Sequence, residues 1–483
     1  MKTSFILICA LFIIPLSLSA QVDSTREKRV WSLKQCIDYA LQNNLTVKRA
    51  EIAVENSEVD VKTSMWSRYP TVNGSMSYGY SWGRGLDPVS NDFVSQEIKS
   101  SNLGAQGSVP IFTGLNNYNT VKQARKFYAA TELDLTKARN DVMLTVAGNF
   151  INVVFNKELV DNARYLLAST QQQLERTRKQ VAAGSVARSE QLNLEAQAAQ
   201  NELTVVQQEN ALNLSLLQLK QALQLPAREF LDVEVPQLEA GDFVLDRTTD
   251  EIFDMAKGTL PEIKSAELKV ISSEYGVKAA RGNYSPRLNL VGSLNTNYSS
   301  RAESVFYPDA GYTLSTTPIA FVNGDVAFPV FGVQRSGEFR NTYDIKDQFK
   351  DNIYRTLGLQ LVIPILNGYQ TRSSVQRSII QNERAKIDAK EISNTLRQNV
   401  ETAYNDAVAS SKTYNAALRQ VTAREEAFRM MEQRFAAGAA NSFEFQVSQN
   451  DLFQARTDLT RAKYDFIFRM KVLDFYQGKP LQY

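Results

Sequence analysis

"VPIFTG" at residues 109–114 and "IPILNG" at residues 363–368 are the passages whose reading decides the fold. Each ends an alternating, strand-like run and opens a long helix-like run. Pro110 and Pro364 lie 254 residues apart, and so do Gly114 and Gly368. Working forward, the same offset joins two Ala-Ala-Gly turns, Gly184 in "KQVAAGSVARSEQL" and Gly438 in "QRFAAGAANSFEF". Working backward, "KRAEIAVENSEVDVK" from Lys48 reads against "KSAELKVISSEYGVK" from Lys264, an offset of 216. An offset held constant from proline to turn glycine marks an internal tandem duplication, and repeats of this size decide the architecture. The expected layout is a first structural repeat over residues 31–224, a linker over 225–246, a second repeat over 247–478 and a tail over 479–483. The extra residues of the second repeat fall mainly in one loop.

Between Gly114 and Val181 the apolar positions Val146, Val153, Val160, Leu167, Leu174 and Val181 recur every seven residues, and Val400, Ala407, Tyr414, Val421, Phe428 and Phe435 repeat the pattern. A narrow heptad seam flanked by Gln, Asn, Arg and Glu is coiled-coil packing with water on the other faces. About 67 residues at about 1.5 Å each make a helix of roughly 100 Å, too long for a compact globule. A return helix is expected from about Arg188 to Leu225, stopped by Pro226. Another is expected from about Ser32 to Ser67, with Ser32 as its N-cap. Each is near half the length of the long helix, so the two fit end to end beside it, with linker and tail at the joint.

The segments before the long helices alternate with period two. Met76, Tyr78, Tyr80 and Trp82 interleave with Ser75, Ser77, Gly79 and Ser81; Leu357, Leu359, Leu361 and Ile363 interleave with Thr356, Gly358 and Gln360. Weaker alternation runs over 103–111 and 288–294. Strands with one apolar face and aromatics at one end suit a lipid-facing barrel. The period alone is equally that of a soluble sandwich strand. If these strands lie in lipid, four per chain cannot close a barrel and open edges are not tolerated there, so several chains must share one.

Composition narrows the function. The 483 residues carry 54 basic and 52 acidic side chains and no histidine. Near neutrality asks for no nucleic acid. Without histidine, Ser-His triads and nearly all catalytic zinc sites are excluded. Residues 1–20 read as an export signal peptide: Lys2, an apolar run from Phe5 to Leu16 and a small-residue site ending at Ala20. With the leader removed, Cys36 is the only cysteine and no internal disulfide is possible. No catalytic residue, cofactor or metal site is expected.

Over essentially its full mature length the chain resembles the TolC-like outer-membrane efflux ducts. The resemblance is carried by "WSLKQCIDYALQNN", the two Pro-Ile or Pro-Ile-Leu strand-to-helix junctions, and the two Ala-Ala-Gly turns leading into "SEQLNLEAQ" and "FEFQVSQND". It implies a mainly α fold with a small β part: long coiled-coil helix hairpins plus four membrane strands per chain. A homotrimer would then form one α/β barrel tunnel, sited in the outer membrane with a periplasmic helical extension. Met76, Tyr78, Tyr80, Trp82, Leu357, Leu359, Leu361 and Ile363 would face outer-membrane lipid. The implied partners are a periplasmic adaptor, or membrane fusion protein, and an inner-membrane transporter. Residues Gly184, Ser185, Val186 and Ala187, with Gly438, Ala439 and Ala440, would be the adaptor-docking tips, although any helix hairpin favours small residues at its turn.

In the family an acidic residue six positions after the turn glycine helps close the tunnel, which makes Glu190 and Glu444 the gate candidates; a solvated surface glutamate is the plain alternative. Nine positions after, where the family has a second acidic residue, this chain has Asn193 and Val447. Ala440 stands where some members carry an arginine. The long segment 300–350 would face the cell exterior as a loop. The function read here is a passive exit duct for a tripartite efflux or type I secretion system. The alternative is an exported periplasmic coiled-coil scaffold, for which the aromatic strands have no use.

Overall fold

A computed structural model describes residues 30–86, 91–95, 97–235, 247–306, 312–322, 329–335 and 339–479. The expected leader, the second half of the linker and the end of the tail lie outside these residues. The first repeat contains β1 (Val30–Trp31), α1 (Leu33–Asn43), α2 (Leu45–Trp66), β2 (Thr71–Ser81), a small hairpin of β3 (Arg84–Leu86) and β4 (Phe93–Ser95), β5 (Ile98–Phe112), α3 (Asn116–Ala182) and α4 (Arg188–Leu223). After β6 (Asp232–Val233) the second repeat gives α5 (Thr249–Thr259), α6 (Pro261–Gly282) and β7 (Arg287–Ser299). It continues with β8 (Glu303–Phe306), β9 (Tyr312–Phe321), β10 (Pro329–Arg335), β11 (Phe339–Thr342) and α7 (Ile345–Asp351). It closes with β12 (Tyr354–Val362), α8 (Gln370–Ala436) and α9 (Ser442–Tyr476). The fold is mostly helical. Both long helices, α3 and α8, hold 67 residues.

Two compact units cut across the repeats: residues up to 50, 136–260 and 395–483 form one, and 51–135 with 261–394 the other. In the first unit the heptad positions Val146, Val153, Val160, Val400, Ala407 and Val421 are buried, with Leu194 and Leu219 of α4 and Leu452, Ala455 and Phe466 of α9. Each such Val, Leu or Phe contributes roughly 1.5–3 kcal/mol by leaving water. A buried polar pair interrupts the seam, where Asn201 donates to Thr170 Oγ1 at 2.9 Å.

The helix expected over 32–67 is broken in two. Ser32 caps it in a capping box with Gln35, and Thr248 caps α5 in the same way with Glu251. At Asn44 the backbone leaves the helix (φ −67°, ψ 129°). The Asn44 side chain accepts from Thr46 N at 2.8 Å and donates to Ala222 O at 3.0 Å, so it caps α2 and ties the break to the end of α4. The equivalent break is Leu260, before Pro261, which lacks the N–H a continuing helix needs. Nearby, Lys157 in the middle of α3 donates to the Asp232 carboxylate at 2.8 Å and to Val233 O at 3.2 Å, and β6 pairs in parallel with β1.

The second unit carries an antiparallel sheet in the order β12-β7-β5-β2. Thr71 faces Ser108 in the first repeat, and Arg287 faces Val362 in the second. Those pairs differ by the sequence offsets of 216 and 254, so the two hairpins share one register. The central β5–β7 ladder joins the repeats and slips between Pro110 and Phe112, where proline cannot donate to the ladder. Beyond it, Gly114 (φ 62°) meets Gly282: a Cβ on either would collide with the other's carbonyl. That close approach, plus the left-handed backbone at Gly114, accounts for both glycines.

The described residues of the long loop expected over 300–350 form paired strands and a short helix. β8 pairs with β11 and β9 with β10, both antiparallel. Gln348, fully buried on α7, accepts from Ser299 N at 2.9 Å and donates to Ser299 O at 3.0 Å and Tyr343 O at 2.7 Å. Its amide thus serves the end of β7 as a one-residue strand. Period-two reading missed β9–β10 because the ladder slips at Val330–Phe331 and again before Val333, which breaks the alternation.

Candidate functional site

The two hairpin turns are built alike. After α3, Gly184 N donates to Val181 O at 3.0 Å and Ser185 N to Gln180 O at 3.0 Å. After α8, Gly438 N donates to Phe435 O at 3.0 Å and Ala439 N to Arg434 O at 2.8 Å. This pair of bonds is the Schellman ending, which needs a left-handed residue at its fifth position. Gly184 and Gly438 supply it at φ 73° and 72°. A Cβ at either would meet nothing within 4 Å, so the glycines answer to backbone geometry and leave the turn surface open. Ser185, Ala187 and Ala439 are exposed; Val186 and Ala440 are half-buried.

Both gate candidates stand at the third position of a return helix, Glu190 in α4 and Glu444 in α9. Glu444 N donates to the Asn441 side chain at 2.8 Å. A carboxylate in the first turn favours the positive end of the helix, a structural role that each glutamate fills. Glu190 does more: its carboxylate accepts a hydrogen bond from the Ser442 hydroxyl, which links the first turn of α4 to that of α9. Glu444 is exposed and makes no such bridge among the described residues. Asn193, Gln197, Phe443 and Gln446 join Glu190 around a cleft of about 310 Å³. There the Gln446 amide nitrogen is buried without a hydrogen-bond partner.

Sequence reasoning singled out the glutamates and missed their setting. Ser442 occupies the position held by Arg188 in the first repeat, so the duplication itself gives no sign of the bridge. Also missed was the clamp across the first hairpin, where Arg178 bonds Glu175 at 2.8 Å and Glu195 at 3.0 Å. The Gln191 amide and then Arg178 hold the Glu195 carboxyl below the ordinary range. The second hairpin is stapled by Phe445 against Phe428 and Phe435, centroids 5.4 and 4.8 Å away. The charged clusters elsewhere are paired: Glu425 with Arg456, Glu426 with Arg429 and Asp141 with Lys137.

The expected lipid-facing residues are all exposed, from 47% at Tyr80 to 79% at Leu357. Ile363 lies one residue past the end of β12. At the end of β2 Tyr78 meets Tyr80 edge-on and Tyr80 stacks on Trp82, with centroids 5.5 and 6.1 Å apart. Among the described residues no helix is long and apolar enough to cross a membrane, and no cluster of metal-ligating side chains occurs.

Comparison with known proteins agrees with this geometry. The chain is 25% identical over 293 residues to the cation efflux system protein CusC of Escherichia coli O157:H7, covering 58% of each chain. Thus the aligned part spans less than two thirds of that relative. It is 21% identical over 422 residues to the alkaline protease secretion protein AprF of Pseudomonas aeruginosa, covering 83% of this chain and 76% of AprF. A crystal structure of CusC shares the fold with a TM-score of 0.70 at 16% identity, over 93% of this chain and 92% of CusC. The family profile described as outer membrane efflux protein matches residues 36–224 and 253–468, nearly all of both repeats. The chain belongs to the outer membrane efflux protein family: it is an outer-membrane protein with a periplasmic helical extension, and not an enzyme.

Proposed function

We propose that the chain is the passive exit duct of a tripartite efflux or type I secretion system. Three copies close one barrel, and the tunnel is gated at the helix tips. The observation that carries this is the unfinished sheet. Inside one chain the second strand of the first repeat, β5, pairs with the first strand of the second, β7. The equivalent partners, β12 and β2, are left as open edges, and open edges are not tolerated in lipid.

The repeat offsets turn that vacancy into a register. Moving the Ser108↔Val291 pair by +254 and −216 sets Val362 opposite Ser75 of a neighbouring copy. In the same register Leu361 faces Met76, Leu359 faces Tyr78 and Leu357 faces Tyr80. The exposed apolar residues of the two edges thus come together on one face. A second vacancy supports this. Gly114 is packed against Gly282, while its equivalent Gly368 has nothing within 4 Å. A neighbouring copy's α2 would fill it. Two chains would supply only eight strands; three follow from the family resemblance.

The turns at Gly184–Ala187 and Gly438–Ala440 would receive the periplasmic adaptor, because their surfaces are open and their backbones close to hand. An inner-membrane transporter supplies the energy. At the mouth, a ring of Glu190 and Glu444 side chains repels itself and attracts cations. The names of CusC and AprF attach to cation efflux and protease secretion respectively.

The test is single-channel recording of the detergent-purified protein in a planar bilayer, beside Glu190→Gln/Glu444→Gln. The reading predicts insertion, weak resting conductance, and reduced cation preference in the variant. A protein that stays in buffer without detergent and never inserts would instead be a scaffold.

A further inference from the structure

We infer that the strand-to-helix junctions form a basic, aromatic collar that binds anionic phospholipid headgroups of the leaflet on the helical side. The inference rests on the barrel reading above. Three cations share two tyrosine rings there. The Arg68 guanidinium carbon lies 6.0 Å from the Tyr118 ring centroid, and Lys122 Nζ lies 4.5 Å from it. Lys122 is also 5.4 Å from the Tyr275 ring, and Lys278 Nζ is 4.8 Å from it. None of the three cations has an ion-pair partner among the described residues, in contrast to Arg164, Arg178, Arg424 and Arg456 along the hairpins, each paired with a carboxylate. The Tyr118 hydroxyl, bonded to Lys122, favours the charged ammonium.

Position and charge balance say what this cluster meets. Arg68 stands three residues before β2, Tyr118 and Lys122 are in the first two turns of α3, and Tyr275 and Lys278 are in the last turns of α6. All therefore border one end of the sheet whose edge strands carry exposed apolar residues. The stretches 61–70, 113–131, 275–287 and 363–382, which flank that end, hold ten Lys and Arg and no Asp or Glu. The connections at the other end, residues 82–97 and 300–351, hold ten Asp and Glu against six Lys and Arg. The chain as a whole is nearly balanced, at 54 basic to 52 acidic. Ten like charges gathered at one level repel unless an anionic surface neutralises them. Aromatic rings beside flexible cations are the side chains that settle at a headgroup layer. Each cation near an anionic leaflet adds about fivefold to the binding constant.

The test compares wild type with Arg68→Gln/Lys122→Gln/Lys278→Gln and with the charge-keeping Arg68→Lys/Lys122→Arg/Lys278→Arg. Each full-length protein is reconstituted into phosphatidylcholine vesicles with or without phosphatidylglycerol. Flotation with pure phosphatidylcholine vesicles reports insertion and fold. Native mass spectrometry then reads which lipid remains bound. Wild type and the charge-keeping variant are expected to retain phosphatidylglycerol preferentially, and the glutamine variant to lose at least tenfold of that preference while still floating. Equal preference in wild type and glutamine variant overturns the collar and leaves the barrel standing. A changed ion selectivity with unchanged lipid preference turns the cations toward the lumen and also overturns it. Competition by inorganic phosphate makes it a free-anion site and likewise overturns the collar. Failure of every form to float overturns the barrel reading itself.

Discussion

Replacing Ser442 by alanine removes the hydroxyl that the Glu190 carboxylate accepts from, and with it the bond between the two return helices. A hydrogen bond to a charged group is worth roughly 1.5–3 kcal/mol when well sheltered. Both residues are half-buried, so screening by water brings this to about 1 kcal/mol. A trimer has three such bonds, and a closed mouth that keeps them while an open one loses them is favoured by about 3 kcal/mol, roughly a 100-fold bias. Alanine is a good residue for the first turn of α9, so the fold is expected to be untouched. The assay is the open fraction in single-channel records of wild type, Ser442→Ala and Ser442→Thr. The account predicts that alanine raises the open fraction by one to two orders of magnitude and that threonine, which keeps the hydroxyl, stays near wild type. Equal open fractions in all three, or threonine behaving as alanine, would refute the latch.

Gly184→Ala and Gly438→Ala each force a Cβ into the left-handed region at about 1 kcal/mol, with no clash to add. Faster amide hydrogen exchange in the last turns of α3 and α8 is the expected result, with insertion unchanged. Burial pushes the Cys36 thiol up to about 12, so the folded protein should ignore thiol reagents at neutral pH and react once unfolded. Because the folded thiol is neutral, its contribution to stability is complete below the ordinary value of 9.0 and is lost as pH rises from there toward about 12. The urea midpoint should fall over that window in wild type more steeply than in Cys36→Ala. Gln348→Leu removes three hydrogen bonds to the backbone of Ser299 and Tyr343, two of them buried, at about 1 kcal/mol each. Limited proteolysis should then cut within residues 300–350 well before the hairpin helices.

How much of this was legible in the sequence follows from what each feature depends on. The long helices follow from local, repeated signals: a heptad seam and a glycine that only a left-handed turn requires. The hairpin register was legible too, since the proline and glycine offsets are conserved in three dimensions at Thr71–Ser108 and Arg287–Val362. The break at Asn44 was not, because asparagine ends a helix only where its amide finds a partner, here Ala222 from a distant return helix. Leu260 carried a clearer sign in the proline that follows it. Strands β9 and β10 were hidden by the slips in their ladder. The glutamates of the tips could be found by their spacing from the turn glycines. The Ser442 bridge could not, because it joins side chains 252 positions apart and one member has no counterpart in the other repeat.

The central claim is that open edge strands of separate copies complete one barrel in the register given by the duplication. Its most direct measurement is oxidative cross-linking of Tyr78→Cys/Leu359→Cys, read on a denaturing gel. Directly opposed positions lie about 4.5–5.5 Å apart, within disulfide reach, whereas diagonal neighbours are about 7–8 Å apart. The account predicts a covalent ladder ending at three chains, dissolved by reductant, and almost none from the staggered pair Met76→Cys/Leu359→Cys. A ladder from the staggered pair instead, an endpoint at two chains, or no covalent multimer from the direct pair would contradict it.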